Sequence, residues 1–294
     1  MKTVVVTGGT SGIGAVATQR IGSVPGTRVL LGARRGGLGS PETLSLDLTR
    51  LSSVKEFVGA IYDRIGDAEI DALVLNAGSQ FPNIDHRTED GFEMTFGVNH
   101  LAHYLLLRLL LPKLTYGATV VITTSDTHDP KINPLAPKQL DPEQLAHPPG
   151  RRRRTGFSAG FRAYSASKLC NLLTARGLAD SNVAKLKSLT VIAYNPGFTA
   201  GTSLFRAWPL WAKVAVGVAS VVRPMTRLAT VEQAGTNLAD LALGRIIPPV
   251  GHIYASLVNQ QLLWPDPSEL ARRDDTVVGL WNDSARMVGL LTTV

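Results

Sequence analysis

The chain of 294 residues is 44% hydrophobic and 18% charged, a balance that excludes a disordered segment and supplies material for a sizeable core. The net charge of +7 invites a polyanion. Outside Arg151 to Arg154, however, the basic residues are scattered without interleaved aromatics, so no nucleic-acid partner is expected. The single cysteine, Cys170, excludes an internal disulfide, and no His, Cys or carboxylate spacing, including His100 with His103, completes a metal pattern.

The first predicted strand, Lys2 to Val6, leaves no room ahead of it for a targeting peptide, which makes a cytoplasmic location the expectation. It runs into Thr7, Gly8, Gly9, Thr10, Ser11, Gly12, Ile13 and Gly14. Strand, glycine loop and helix in that order form a dinucleotide cradle: the glycines let backbone approach a pyrophosphate, and the helix N-terminus faces it. A second strand, Arg28 to Gly32, ends in Ala33, Arg34 and Arg35, with Arg34 placed 20 residues after Gly14. An acid there would read the ribose hydroxyl of NAD, whereas arginine pairs with the 2′-phosphate of NADP. The competing reading is a solvated basic turn.

Next come a third strand, Leu44 to Leu46, ending at Asp47 and Leu48; a helix, Leu51 to Ile65; and a fourth strand, Asp71 to Leu75, followed by Asn76, Ala77 and Gly78. This alternation predicts a doubly wound parallel sheet of about seven strands with helices on its faces, its ligand crevice at the carboxyl ends of the strands. A long helix is predicted over Gly91 to Leu111, with Asn99 buried so that it either braces backbone or holds water. The fifth strand, Val120 to Thr124, ends at Ser125. Residues 126 to 160 lack periodicity and read as an insertion loop, in which Arg151 to Arg154 meet an anionic substrate, a partner or only water.

A helix over Phe161 to Ala179 carries Tyr164 at its start and Lys168 four positions on, so both project from one face. A lysine cation beside a tyrosine is expected to draw the phenol's pKa down toward neutrality. A sixth strand, Leu189 to Tyr194, ends in Pro196 and Gly197, which turn Thr199 toward the crevice. Residues 200 to 224 read as a lid over an apolar substrate, with core packing or an oligomer contact as rivals. The apolar run Trp208 to Val222 is shorter than a membrane span and is broken by Lys213. A helix over Thr230 to Leu243, a seventh strand over Gly251 to Ala255 and a closing helix over 266 to 291 complete the chain, read as one domain over residues 1–294.

Taken together, the glycine loop, Asp47, Asn76 to Gly78, Asn99, Ser125, Tyr164 with Lys168, and Pro196 with Gly197 resemble the short-chain dehydrogenase/reductase family. The resemblance covers nearly the whole chain and implies a Rossmann-type fold. It also implies a catalytic tetrad of Asn99, Ser125, Tyr164 and Lys168. Tyr164 would donate a proton to a substrate carbonyl as hydride arrives, Ser125 would bond the same oxygen, and Asn99 would position a water toward Lys168. The implied cofactor shell is Gly8, Thr10, Ser11, Gly12, Ile13, Gly14, Arg34, Arg35, Asp47, Leu48, Asn76, Ala77, Gly78, Tyr164, Lys168, Pro196, Gly197 and Thr199.

Within the family, Val98 to Leu101, His103 to Leu106, His128 and the tail around Trp281 resemble the branch of retinol dehydrogenases and protochlorophyllide reductases, which handles bulky apolar molecules. Ser125 is preceded by Thr123 and Thr124, whose hydroxyls compete for its role. The leading expectation is an NADPH-dependent reductase of a ketone or aldehyde on a retinoid-, steroid- or polyketide-like substrate. Alcohol oxidation with NADP+ at the same site, and a non-catalytic NADP(H)-binding scaffold or sensor, remain as alternatives. A homo-oligomer is expected from the resemblance alone.

Overall fold

A computed structural model describes residues 1–34, 42–149, 156–199 and 229–292. Arg35, Arg151 to Arg154 and the proposed lid at 200 to 224 lie outside the described residues.

The N-terminal half alternates as its patterning predicts: β1 (Lys2–Thr7), α1 (Gly12–Gly22), β2 (Thr27–Ala33), β3 (Thr43–Ser45), α2 (Leu51–Ile65) and β4 (Ile70–Leu75). The strands are apolar and β-branched because both their faces are covered, as parallel sheets require. Among the described residues seven strands are parallel and an eighth is antiparallel, in the order β3-β2-β1-β4-β5-β6-β7-β8. The order reverses beside β1, and the crevice between β1 and β4 is the switch point at which such sheets bind ligands.

The predicted helix over Gly91 to Leu111 is shorter and composite. It begins as α3 (Met94–Phe96), passes through a π-helical turn at Gly97–Leu101, continues as α4 (Ala102–Leu110) and ends in a 3-10 turn at Leu111–Lys113. Its late start follows from Glu93, whose carboxylate accepts the amides of Thr95 and Phe96 at 3.0 and 2.8 Å as the N-cap. Strand β5 (Leu114–Thr123) starts earlier than expected.

The stretch read as a structureless insertion holds a 3-10 turn at Asp126–His128 and a short helix α5 (Pro142–Ala146) capped by Asp141. The catalytic-motif helix α6 (Phe157–Asp180) begins four residues sooner than predicted, which puts Tyr164 in its third turn rather than its first. There follow α7 (Asn182–Leu186), β6 (Thr190–Asn195), α8 (Val231–Ala242), β7 (Tyr254–Val258), β8 (Gln261–Leu263) and α9 (Asp274–Met287). The last begins well after the predicted residue 266, where Asp274 and Asp275 in its first turn complement the helix dipole.

Two apolar layers enclose the sheet. On one side Val4, Val6 and Val74 pack with Ala17 and Ile21 of α1 and Leu238 and Leu241 of α8. A Cβ at Gly235 would come within 2.5 Å of Val16 Cβ, so α1 and α8 approach closely only because that position is glycine. On the other side Val5, Leu73 and Val120 meet Phe57, Leu105, Leu172 and Leu280 from α2, α4, α6 and α9. Cys170 is fully buried in this layer as a small hydrophobe. Among the described residues no helix is long and apolar enough to cross a membrane.

Candidate active site

The carboxyl ends of β1, β2, β4, β5 and β6 surround a cavity of about 400 Å³. The glycine loop forms one wall. Gly8 has φ +68°, and a Cβ on Gly14 would stand 2.0 Å from the Gly8 carbonyl, so neither position tolerates a side chain without rebuilding the loop. Helix α1 has no acidic residue in its first turn, and Ser11 makes no side-chain cap, which leaves its N-terminal amides available to an anion. This cradle fits the pyrophosphate of a dinucleotide.

Every expected cofactor residue within the described chain lines the cavity: Gly8, Thr10 to Gly14, Arg34, Asp47, Leu48, Asn76 to Gly78, Tyr164, Lys168, Pro196, Gly197 and Thr199. Asp47 is ordered by its own turn, Oδ1 accepting the Thr49 amide at 3.0 Å and its hydroxyl at 2.8 Å. Asn76 donates from Nδ2 to the Gly8 carbonyl at 3.2 Å, tying the loop after β4 to the loop after β1. The turn after β6 is held where the Gly197 amide donates to Asn195 Oδ1 at 3.1 Å, and Thr199 Oγ1 donates to the Pro196 carbonyl at 3.2 Å.

Ser125, Tyr164 and Lys168 meet at the far wall. The three neighbouring hydroxyls have different partners. Thr123 donates to Asn76 Oδ1 at 3.1 Å and Thr124 to the Lys168 carbonyl at 2.6 Å. Ser125 Oγ accepts the Thr127 amide at 3.3 Å and reaches Asp126 Oδ1 only at 3.4 Å, on the cavity wall it shares with Tyr164. Lys168 Nζ lies 5.8 Å from the centre of the Tyr164 ring and donates to the Thr123 carbonyl at 3.1 Å, which also receives Asn171 Nδ2 at 3.0 Å.

The electrostatics differ from the expectation. Burial pulls the Lys168 ammonium down to about 8. Burial also pushes the Tyr164 phenol up; the Ser125 hydroxyl opposes that shift and the Asp126 charge adds to it. In the protein alone, loss of hydration therefore dominates, and it holds Tyr164 toward the protonated phenol rather than toward the phenolate.

Asn99 takes the backbone-bracing role, one of the two that its burial predicted. Its amide is spent on backbone and a neighbouring hydroxyl: Oδ1 accepts the Ser79 amide at 2.8 Å, and Nδ2 donates to the Ser79 carbonyl at 2.9 Å and to Ser167 Oγ at 3.0 Å. It braces the strand loop behind the cavity and is not part of the cavity wall. Sequence reasoning missed Thr49, Ser79, Gln80, Phe81, Asp126, Thr127, Phe161 and Phe198, which also line the wall. The available signal was adjacency, since most of them follow or flank the motif residues directly.

The sequence pattern of the short chain dehydrogenases matches residues 2–133. A proposed daunorubicin C-13 ketoreductase, DnrU, of Streptomyces sp. (strain C5) is 32% identical over 242 residues, covering 75% of this chain and 77% of that protein. Human retinol dehydrogenase 14 is 29% identical over 327 residues, covering 99% of this chain and 87% of that protein. Among solved structures, an uncharacterized protein from Mycobacterium paratuberculosis superimposes with a TM-score of 0.69 at 26% identity, over 100% of this chain and 96% of that one. The chain belongs to the short-chain dehydrogenase/reductase family of oxidoreductases.

Proposed function

We propose that the protein is an NADPH-dependent reductase of a ketone or aldehyde on a bulky, largely apolar molecule, with Tyr164 as the general acid. The observation that carries the reading is the convergence of Ser125, Tyr164 and Lys168 on the same cavity as the glycine cradle and Arg34. Bound NADPH supplies the hydride. Arg34, on the wall at the end of β2, offers a guanidinium to the 2′-phosphate, while Lys168 and Thr199 face the opposite end of the cavity. Ser125 and Tyr164 donate to the substrate oxygen, where charge develops, and Tyr164 passes its proton to it. Lys168, where protonated, stabilises the phenolate left behind. Phe81, Val98, Phe161 and Phe198 supply an apolar wall for the substrate, in keeping with the ketoreductase and retinol dehydrogenase similarities.

Incubation with NADPH and a panel of aromatic and alicyclic carbonyls tests the reading by loss of nicotinamide absorbance. Tyr164→Phe is expected to cost about 10²–10⁴-fold in turnover while retaining NADPH binding. Full activity of that variant would overturn the tyrosine mechanism. Alcohol oxidation with NADP+ uses the same groups in reverse, and the panel run with alcohols measures it.

A further inference from the structure

His103 lies outside the tetrad and outside the cavity wall, 2% exposed, yet both its ring nitrogens reach groups that build the site. Nδ1 stands 3.0 Å from the Asn99 carbonyl and Nε2 stands 3.0 Å from Thr7 Oγ1. A carbonyl only accepts, so Nδ1 carries the proton. Thr7 Oγ1 already accepts the amides of Asn76 and Ala77, at 3.0 and 3.1 Å. With both lone pairs in use, its own proton goes either to the Val74 carbonyl at 3.5 Å or to the bare Nε2 at 3.0 Å. The shorter contact satisfies every donor and acceptor in the group.

We infer that His103, as the neutral Nδ1–H tautomer, is a positioning residue for the dinucleotide: it fixes the Thr7 hydroxyl, and through it the Asn76–Ala77 backbone that borders the glycine cradle. The inference rests on the dinucleotide-binding reading above. The tolerance at this border is small, because a Cβ on Gly8 would lie 2.6 Å from Ala77 Cα. A shift of the 76–77 backbone therefore changes the shape of the cradle itself. The charged and titratable groups facing the ring are Lys168 on α6 and His100 in the π turn. Burial, with the Lys168 charge adding to it against the Asn99 hydrogen bond, leaves the imidazole neutral down to about pH 4. A doubly protonated ring would direct Nε2–H at an oxygen with no free lone pair.

The test is dinucleotide binding by the full chain, read as NADPH and NADH fluorescence without a carbonyl substrate. His103→Asn retains a donor near Nδ1 but does not reach Thr7, and is expected to weaken binding about tenfold, as for one lost buried hydrogen bond. His103→Gln carries a polar group at the reach of Nε2 and is expected to stay within about threefold of wild type, a smaller effect than a lost bond gives. In a Thr7→Val background, His103→Asn is expected to cost nothing more, since the effect runs through Thr7. Equal affinity of the His103→Asn variant and wild type, or additive losses in the double variant, would overturn the inference. A wild type that bound neither dinucleotide would instead overturn the functional reading, and this inference with it. Nitrogen NMR of the ring in wild-type protein stands independently of variant folding: one protonated and one bare nitrogen, with Nδ1 the protonated one, is expected, and the Nε2–H tautomer overturns the assignment.

Discussion

The Thr124 hydroxyl donates to the main-chain carbonyl of Lys168 at 2.6 Å, which pins the end of β5 to the middle of α6. This tie sets the separation of Ser125, one residue beyond Thr124, from Tyr164, one helical turn before Lys168. Thr124→Val is expected to lower stability by about 1 kcal/mol and turnover several-fold, whereas Thr124→Ser preserves both. Ser125→Ala, which removes a donor to the reacting oxygen, is expected to cost about 10²–10³-fold in turnover with little loss of stability. Denaturant midpoints and kcat on the same four proteins separate the two roles. Equal kinetic losses for Thr124→Val and Ser125→Ala would contradict the assignment of Ser125.

Burial holds the Lys168 ammonium at about 8, below its ordinary 10.5. Below pH 8 both folded and unfolded chains carry this proton. Between 8 and 10.5 only the unfolded chain does, so the lysine contributes a stability that rises with pH across that window. Carbonyl reduction is expected to move the other way, falling as pH rises through 8, because a neutral Lys168 no longer stabilises the Tyr164 phenolate. Lys168→Met should flatten the rise in stability seen in denaturation curves over this range. A Lys168→Arg variant that retained activity should shift the fall in kcat to higher pH; an unchanged profile would remove Lys168 as its source.

The parallel sheet was legible because buried β-branched runs alternate with helical spacing and each ends in a turn residue facing the crevice. The hairpin to β8 was not, since its turn places Asn259 and Gln260 at φ +53° and +66°, and a glutamine in the left-handed region gives none of the Asn-Gly signal that marks such turns. The π turn at Gly97–Leu101 was equally hidden. Its cause is tertiary: Asn99 reaches across to Ser79 and Ser167, partners separated from it by 20 and 68 positions. Motif residues located the cavity, but burial reversed the direction of the Tyr164 shift. Desolvation depends on how much chain covers a group, and no local spacing records that.

Arg34 closes β2 on the wall of the cavity next to the glycine loop. A guanidinium there pairs with a 2′-phosphate, whereas a carboxylate accepts from a 2′-hydroxyl and repels the phosphate. Arg34→Glu is expected to weaken NADPH binding by about tenfold or more, equivalent to about 1.4 kcal/mol, and to strengthen NADH binding. Titrating both dinucleotides against wild type and variant gives the ratio directly. An unchanged ratio would leave the preference to some other residue.

Asp126 adjoins Ser125, whose Oγ donates to Asp126 Oδ1 at 3.4 Å, and it shares the cavity with Tyr164. Burial raises the Asp126 carboxyl, opposed chiefly by the His128 charge and by hydrogen bonds from Asn195 and Ser125. Where ionised, it opposes a phenolate on Tyr164. Asp126→Asn removes that opposition in a side chain of nearly the same shape. Alcohol oxidation, which requires Tyr164 to accept a proton, is expected to reach half its maximum about one pH unit lower in the variant, the order of shift a neighbouring charge produces. Carbonyl reduction near neutrality should change less, because Tyr164 already holds its proton there. The measurement is a pair of pH profiles of kcat/KM in the two directions. An oxidation profile that stayed in place, in a variant of unchanged stability, would mean that Asp126 does not act on Tyr164 through its charge.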